Sequence, residues 1–355
     1  MTSCHNRRSL KGKIIATLVS LVASVLIAEG VLRVAFPTWD EFSSARFMRT
    51  VHVPNYGFVR TGVPGFDGYL AQNNGDFRVR VQLNNIGLRN PEDLHNVGKQ
   101  IWIMGDSMTF GFGVERHETY TEKLESHLDG ILAYNFAGPG NDVCGYRTMT
   151  KLASVDEQPL AIILGLFLEN DVQNYDCNER VIKRVRAIGQ TPRLSYYSMS
   201  DLKKTLTESS AFYNFVAVTL KRIDFFKQLL TMIGIIEKEH AERDHPPSSE
   251  IRKIVGKTVN EIRKLRSDFD KNIPFAVLII PARLELRDSD PYYTNLRKGL
   301  VAQLKHENLD VIDPISKLKK AGFSRVHFLH DGHWTARGHD IAAEEIYNWV
   351  KVYVN

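Results

Sequence analysis

Cysteine is scarce in this sequence, and its three copies, Cys4, Cys144 and Cys177, lie far apart without any C-x-x-C spacing. Zinc sites and thiol redox motifs need closely and regularly spaced cysteines, so both classes of function are disfavoured. Internal repeats and low-complexity tracts are missing as well. The length of 355 residues suits one large domain with an accessory segment, and such a domain buries its core without disulfide or metal staples.

Excess charge is nearly absent from most of the chain. The 46 Lys and Arg residues against 41 Asp and Glu residues give a net charge of +5. Four of those charges precede the first acidic residue, on Arg7, Arg8, Lys11 and Lys13. The rest of the chain is close to neutral, so no nucleic-acid-binding surface is expected. The basic stretch 252–266 has apolar residues at helical spacing, which indicates a solvated helix face.

A long uncharged, apolar run follows these first charges, at residues 14–28, and apolar character resumes as far as Phe36. About 20 apolar residues cross a bilayer. Residues 14–36 are therefore predicted to be a transmembrane signal anchor, with residues 1–13 as a cytoplasmic tail and the remainder outside the cytoplasm. A cleaved signal peptide is the alternative, because it has the same basic start and apolar core. The lack of a clear small-x-small site near Ala28 favours the anchor.

Two further regions differ from the main domain. Residues 37–98 are rich in Gly, Asn, Pro and aromatics, and they are predicted to form a β-rich preamble. Apolar and polar residues alternate over 76–83, which is typical of a half-buried strand. Residues 178–250 are predicted to be an amphipathic helical insertion packed over the main domain. Charges such as Lys221 and Asp224 in its middle argue against a second membrane span.

From residue 99 onward, short apolar runs alternate with helical stretches. The runs lie at residues 99–107, 131–137, 160–168, 273–281 and 309–314. Continuous apolar strands separated by helices predict a parallel sheet covered on both faces. Such sheets bind ligands beyond the carboxyl ends of their strands. A functional site is therefore expected among the polar residues that follow these runs.

Polar residues and glycines suited to acyl chemistry follow the first three runs. Ser107 follows Gly105 at a strand-to-helix turn, where its backbone N–H could form half of an oxyanion hole; an ordinary N-cap is the alternative. Gly138 and Gly140 follow the second run, and a tight turn would also explain them. Asn170 follows the third run as either an amide donor to an oxyanion or a turn residue.

A histidine-rich stretch follows the last run and contains Asp331 and His333. Imidazole is the usual proton acceptor for a serine, and a carboxylate fixes its tautomer. Metal binding is the alternative, since His327, His330 and His339 lie nearby. Neither an H-E-x-x-H motif nor a comparable spacing is present, so no metal is predicted.

Taken together and in order, these blocks resemble the GDSL/SGNH hydrolase superfamily over about residues 99–350, outside the insertion. Its first block is matched by GDSMTFGFGV, which implies Ser107 as the nucleophile. Its second block is matched by NFAGPG, which implies Gly140 as an oxyanion donor, and its third by END, which implies Asn170. Its fifth block is matched by DGHW, which implies Asp331 and His333 as acid and base.

The resemblance implies a flavodoxin-like three-layer α/β/α domain over residues 99–355. The implied activity is that of a serine esterase that cleaves an O-acyl ester without a cofactor. Membrane-anchored bacterial members of this kind work at the inner membrane, with the catalytic domain facing the periplasm. The ester substrate could be an O-acylated glycan.

Two departures from the family pattern keep alternatives open. Leu168-Glu169-Asn170-Asp171 stands where the family has G-x-N-D, and the acid and base are spaced D-x-H where D-x-x-H is usual. The D-x-H-W block is similar to that of alginate O-acetyltransferase-like members. One alternative is therefore an O-acetyltransferase that acts on a polysaccharide with the same site. A non-catalytic carbohydrate-binding relative is the second alternative.

The site prediction has a consequence for two of the cysteines. Cys144 lies four residues beyond Gly140, and Cys177 lies seven beyond Asn170. If both oxyanion donors point at one atom, their loops converge and the two thiols could pair outside the cytoplasm. Buried free thiols are the alternative.

Overall fold

The computed structural model describes residues 3–72, 75–91, 99–153, 158–179, 199–222, 228–229, 232 and 246–354. The chain divides into two compact units. The first comprises Met1–Ala45 with Arg193–Glu237, and the second comprises Arg46–Pro192 with Lys238–Asn355. All residues of the predicted site belong to the second unit.

The first unit contains one long N-terminal helix, α1, at Ser3–Ala35. Its segment Leu10–Ala35 has a mean hydropathy of 2.3 and is long and apolar enough to cross a membrane. Side chains along this segment are exposed on the protein. The helix therefore agrees in length and composition with the span predicted at residues 14–36.

The two charges that interrupt this apolar run have partners within the same unit. Glu29 and Arg33 form an ion pair of 2.6 Å one helical turn apart. The Glu29 carboxylate also accepts hydrogen bonds from the Ser210 hydroxyl and from the backbone N–H groups of Ala211 and Phe212. These N–H groups begin a second helix, and a carboxylate there caps it and complements its dipole.

The predicted insertion at residues 178–250 is helical over most of what the structure describes of it. Helix α5 spans Met199–Ser209, and helix α6 spans Ala211–Arg222. Much of the remainder of that prediction, including residues 180–198 and 233–245, lies outside the described residues. Residues Arg193–Glu237 form one compact unit with Met1–Ala45. The sequence does not predict this association.

The second unit is built on a five-stranded sheet whose strands follow the five predicted apolar runs. They are β5 (Gln100–Gly105), β6 (Leu132–Ala137), β7 (Ala161–Phe167), β8 (Phe275–Ile280) and β9 (Asp310–Ile312). All neighbouring pairs are parallel, in the order β6-β5-β7-β8-β9. This is the flavodoxin-like order, with its switch point between β5 and β7. The fold class predicted from the sequence is confirmed.

Helices cover both faces of this sheet and complete three layers. The described helices of the unit are α2 (Ser107–Phe110), α3 (Tyr120–Glu125), α4 (Val143–Ala153), α7 (Ile251–Arg266), α8 (Arg283–Asp288), α9 (Pro291–His306), α10 (Ile315–Ala321), α11 (Phe323–Val326) and α12 (Ala336–Val354). Alternate residues of each strand point to opposite faces. Trp102 and Met104 of β5 pack in the core with α4, α7 and α9. Ile101 and Ile103 pack in the core with α3, α10 and α12.

The predicted β-rich preamble consists of two antiparallel hairpins. The first pairs β1 (Met48–Val53) with β2 (Gly57–Gly62), and the second pairs β3 (Asp67–Ala71) with β4 (Arg78–Gln82). Strand β4 lies within the alternating stretch 76–83, and its Val79 and Val81 are buried while its polar residues are exposed. The second hairpin thus presents one apolar face to a small core of its own.

Arg89 joins the preamble to the segment that follows α2. Its guanidinium is buried, with 2% of the residue exposed. It donates hydrogen bonds of 2.6–3.1 Å to the carbonyl groups of Arg80, Phe110, Gly111 and Val114. Burial lowers the pKa of Arg89 to about 10. Four carbonyl dipoles take the place of water around this cation. Because three of these carbonyl groups lie at the end of α2 and just beyond it, the hydrogen bonds fix the turn that follows α2.

Cys144 and Cys177 form a disulfide, with Cα atoms 5.5 Å apart. Of the two states that the sequence leaves open, a pair and buried free thiols, the structure has the pair. Cys144 lies at the start of α4, and Cys177 lies beyond the loop of Asn170. A bridge across a sequence separation of 33 residues contributes about 3–4 kcal/mol in the loop-entropy account.

Candidate active site

Ser107 lies just beyond the carboxyl end of β5 and is the first residue of α2. Asp106 is the N-cap of this short helix, because its carboxylate accepts a 2.9 Å hydrogen bond from the Met108 N–H. The capping role that could have explained the serine is thus filled by its neighbour. The Ser107 N–H belongs to the first turn of a helix, where backbone donors lack intrahelical acceptors. Both its hydroxyl and its N–H are suited to acyl chemistry.

His333 lies against this serine. Its Nε2 is 2.8 Å from Ser107 Oγ, and its Nδ1 makes a short hydrogen bond to Asp331 Oδ1. The His333 backbone N–H also donates to Asp331 Oδ1 over 2.9 Å. A carboxylate on Nδ1 holds the proton there and leaves Nε2 as the acceptor for the serine hydroxyl. The D-x-H spacing therefore permits a serine–histidine–aspartate chain.

The charge state of Asp331 follows from its surroundings. Burial acts to raise the pKa of this carboxyl group, but the charge of His333 and the hydrogen bonds from its ring and backbone act in the opposite direction. The pKa of Asp331 is lowered overall. The carboxylate is thus ionised near neutral pH, as a partner of imidazolium needs to be.

Gln72 is a partner of Asp331 that the sequence did not predict. Its Nε2 donates a 2.7 Å hydrogen bond to Asp331 Oδ2, the oxygen that does not bond His333. Gln72 follows β3 of the preamble, 259 residues away in sequence. Nearby, Asp76 accepts hydrogen bonds from the backbone and the ring of His330. The preamble therefore contacts the turn that bears Asp331 at two points.

Asn170 is connected to the serine through Asp106. Its Nδ2 donates a 2.8 Å hydrogen bond to Asp106 Oδ2. An amide nitrogen carries two hydrogens, so a second N–H remains for another acceptor. Burial raises the pKa of Asp106, although the hydrogen bonds from Asn170 and Met108 oppose this effect. Asn170 is thus held close to the serine with donor capacity in reserve.

Gly140 is placed by its loop. Gly138 at the start of that loop donates a 3.1 Å hydrogen bond to the carbonyl of Gly105, at the end of β5. Gly140 itself has φ of +79°, a conformation that glycine adopts without strain. Glycine has no side chain, so the backbone N–H is the group through which Gly140 could donate to an oxyanion.

Glu169 and Arg283 form a buried ion pair that the sequence also did not predict. The guanidinium bonds both carboxylate oxygens at 2.8–3.2 Å, and the Glu169 side chain has no exposed surface. A Cβ atom on Gly332 would lie 2.5 Å from Arg283 Nη1. Arg283 therefore packs against the backbone between Asp331 and His333. The ion pair links the loop of Asn170 to the turn of the acid and base.

The histidines near His333 do not converge on a common point. His339 Nδ1 accepts a 3.2 Å hydrogen bond from the Tyr120 N–H, and burial lowers the pKa of His339 to about 3. His330 pairs with Asp76. His327 is buried beside the ring of Phe323. Over the described part of the chain, no group of three or more His, Cys, Asp or Glu side chains is arranged to hold a metal ion.

No protein-family model matches the chain, and no curated protein matches it. Solved structures of GDSL proteins are similar to it. A lipolytic G-D-S-L family member from Veillonella parvula is 15% identical, with 71% of this chain and 97% of that chain covered and a TM-score of 0.38. A lipase/acylhydrolase from Enterococcus faecalis is 14% identical, with 73% and 98% covered and a TM-score of 0.39.

Proposed function

We propose that this chain is a serine esterase of the GDSL/SGNH kind, with Ser107 as nucleophile, His333 as general base and Asp331 as the acid that orients it. The observation that carries the proposal is the hydrogen-bonded series from Ser107 Oγ through both ring nitrogens of His333 to Asp331. An unactivated serine is a weak nucleophile, and an adjacent oriented base is the arrangement that activates it.

The first half of the proposed reaction acylates the serine. His333 Nε2 takes the hydroxyl proton while Ser107 Oγ attacks the ester carbonyl carbon. The carbonyl oxygen becomes an oxyanion, which accepts hydrogen bonds from the N–H groups of Ser107 and Gly140 and from the second N–H of Asn170. Donors of this type each contribute about a hundredfold to a thousandfold to kcat. The C–O bond then breaks, and His333 returns the proton to the departing alcohol.

The second half releases the acyl group. Water gives a proton to His333 Nε2 and attacks the acyl-serine carbonyl. The same donors bind the second oxyanion, and its collapse expels Ser107 Oγ, which recovers the proton from the imidazolium. The acid product leaves. The ester, water and the protein groups named above supply every atom and proton of this cycle.

A screen of acetyl, butyryl and octanoyl esters with the full chain in detergent tests the proposed activity. We expect release of the acid to water from at least one ester, and release by Ser107→Ala that is slower by orders of magnitude. A chain that releases no acid from any ester would contradict the proposal. Acetyl transfer to a glycan hydroxyl in excess of release to water would reassign the chain as a transferase.

Gln72 is proposed as a positioning residue, because it acts through Asp331. Gln72→Met removes the N–H donor at nearly constant volume. Losing a hydrogen bond to a charged carboxylate disfavours the ionised form. We expect the pKa of Asp331 to rise, kcat/KM to fall about tenfold, and the acid limb of the pH profile to move to higher pH. Gln82→Met, at an exposed site of β4, is the matched control. An unchanged acid limb in Gln72→Met would rule out the positioning role.

The cellular location is proposed to be a membrane with the second unit on its outer, oxidising side. The apolar helix, the basic residues that precede it and the Cys144–Cys177 disulfide support this orientation. Thiol labelling tests it. Without reductant, we expect maleimide to modify Cys4 alone, and only after the membrane is permeabilised.

The outcomes of that labelling separate the alternatives. A mature chain without any free thiol, beginning near Glu29, would show that the apolar segment is a cleaved signal peptide. Labelling of Cys144 or Cys177 without reductant would contradict the oxidised, extracytoplasmic assignment. Labelling of Cys4 in unpermeabilised cells would reverse the orientation.

A further inference from the structure

A cavity of about 230 Å³ lies beside the loop that carries Gly140. The first hairpin of the preamble contributes Tyr56, Phe58 and Arg60 to its wall, and the Cys144–Cys177 disulfide contributes another part. Pockets for whole drug-sized ligands occupy about 300–1,000 Å³. This cavity is therefore sized for a substituent of the substrate. None of its wall residues takes part in the proposed proton transfer.

Arg60 is held at this cavity by Asn141, the residue after Gly140. The Asn141 side chain accepts a 2.9 Å hydrogen bond from the Arg60 N–H and donates a 2.8 Å hydrogen bond to the Arg60 carbonyl. The guanidinium lies so close to Gly140 that a Cβ atom there would be 2.5 Å from Arg60 Nη1. A positive charge of the preamble thus lies next to the proposed oxyanion donor.

The charge of Arg60 has no counter-ion within the described residues. Other arginines of the unit bond carboxylates, such as Arg147 with Asp268 and Arg297 with Glu285. The acidic wall residue Asp142 instead caps α4, with Oδ1 accepting from two backbone N–H groups. Arg60 is the exposed residue of β2 and forms part of the cavity wall, so a ligand can reach its guanidinium. A guanidinium without a counter-ion at a cavity wall can bind an anion through charge-assisted hydrogen bonds.

We infer that the cavity binds a carboxylate or similar oxyanion carried by the ester substrate, with Arg60 as the residue that selects for it. This inference rests on the proposed esterase activity and narrows its substrate class. A guanidinium presents paired N–H donors that match the two oxygens of a carboxylate. With the ester oxygen at Gly140 N–H, a negative group a few atoms away along the substrate reaches Arg60.

Two matched ester pairs test the inference and locate the anion. In the first pair, mono-4-nitrophenyl adipate carries a carboxylate at the end of its acyl chain, and 4-nitrophenyl hexanoate is its neutral counterpart. In the second pair, 4-acetoxybenzoate carries the carboxylate on the leaving alcohol, and methyl 4-acetoxybenzoate is its neutral counterpart. We expect the full chain to prefer the anionic member of one pair. Arg60→Gln should lower kcat/KM for that member about tenfold to a hundredfold more than for its neutral partner.

Control variants keep the test specific. Arg60→Lys retains the charge and should keep part of the preference. Arg49→Gln removes the same charge from the neighbouring strand β1, outside the cavity wall, and should leave both rates unchanged. Equal losses on anionic and neutral esters in Arg60→Gln, or no anionic preference in either pair, would overturn the inference while the esterase proposal stands. If none of the four esters is hydrolysed faster than by Ser107→Ala, the proposed function fails and the inference falls with it.

Discussion

Ser107→Ala is expected to lower kcat for ester hydrolysis by about 10⁴- to 10⁶-fold while the protein stays folded. The variant loses the atom that forms the covalent bond, and the oxyanion donors and substrate binding alone support the residual rate. His333→Ala should cost a similar factor, because the serine hydroxyl then has no proton acceptor at 2.8 Å.

The two losses are not expected to multiply. Residues that act as one unit give grossly non-additive effects, so the double variant should be about as slow as either single variant. Ser126→Ala and His306→Ala are suitable controls. Both side chains are exposed at the surface and lie outside the proposed site. Multiplicative losses in the double variant would show that Ser107 and His333 do not act together.

Breaking the buried Glu169–Arg283 ion pair is expected to give the largest loss of stability. Glu169→Ala leaves the guanidinium without its carboxylate at a site where the Glu169 side chain is fully buried. Removal of one partner from a buried pair typically costs about 3–5 kcal/mol in the free energy of unfolding. Because Arg283 also packs against Gly332, the variant should lose activity through the displaced turn of Asp331 and His333.

Denaturant unfolding and a double-variant cycle measure this effect. Glu169→Ala/Arg283→Ala removes the cation together with its buried carboxylate, so the double variant should cost less than the sum of the single variants. Asp288→Ala is the control, because it breaks the exposed Arg287–Asp288 pair and should cost less than about 1 kcal/mol. A loss in Glu169→Ala as small as this control would contradict the structural role of the pair.

The sheet and the order of its polar loops could be predicted because their signals are local. Strands buried on both faces need continuous apolar runs, and each of the five runs contains one strand. Parallel strands bring their carboxyl ends to one edge of the sheet. The sequence therefore predicts that Ser107 and Asn170 lie close together. The same convergence permits the Cys144–Cys177 disulfide, but the sequence alone leaves free thiols as an equal alternative.

The partners that orient these residues could not be predicted. Gln72 meets Asp331 across 259 residues, and Glu169 meets Arg283 across 114 residues. The residues around a glutamine after a strand, or around an acid in a loop, are the same whether or not its side chain bonds a distant residue. The local sequence therefore does not reveal such a partner. The close approach of Arg283 to Gly332 is a contact of folded loops, which leaves no periodic trace in the sequence. In the sequence, Glu29 only interrupts an apolar run. In the structure, its carboxylate caps the helix that begins at Ala211.

Fluorophosphonate labelling of the full chain in detergent is the most direct measurement of the central claim. The reagent reacts much faster with a serine that a neighbouring base activates than with an ordinary hydroxyl. We predict a single adduct, mapped by peptide mass spectrometry to Ser107, absent from Ser107→Ala and strongly slowed in His333→Ala. An adduct on another serine, or ester hydrolysis that continues at an undiminished rate after Ser107 is lost, would contradict the account.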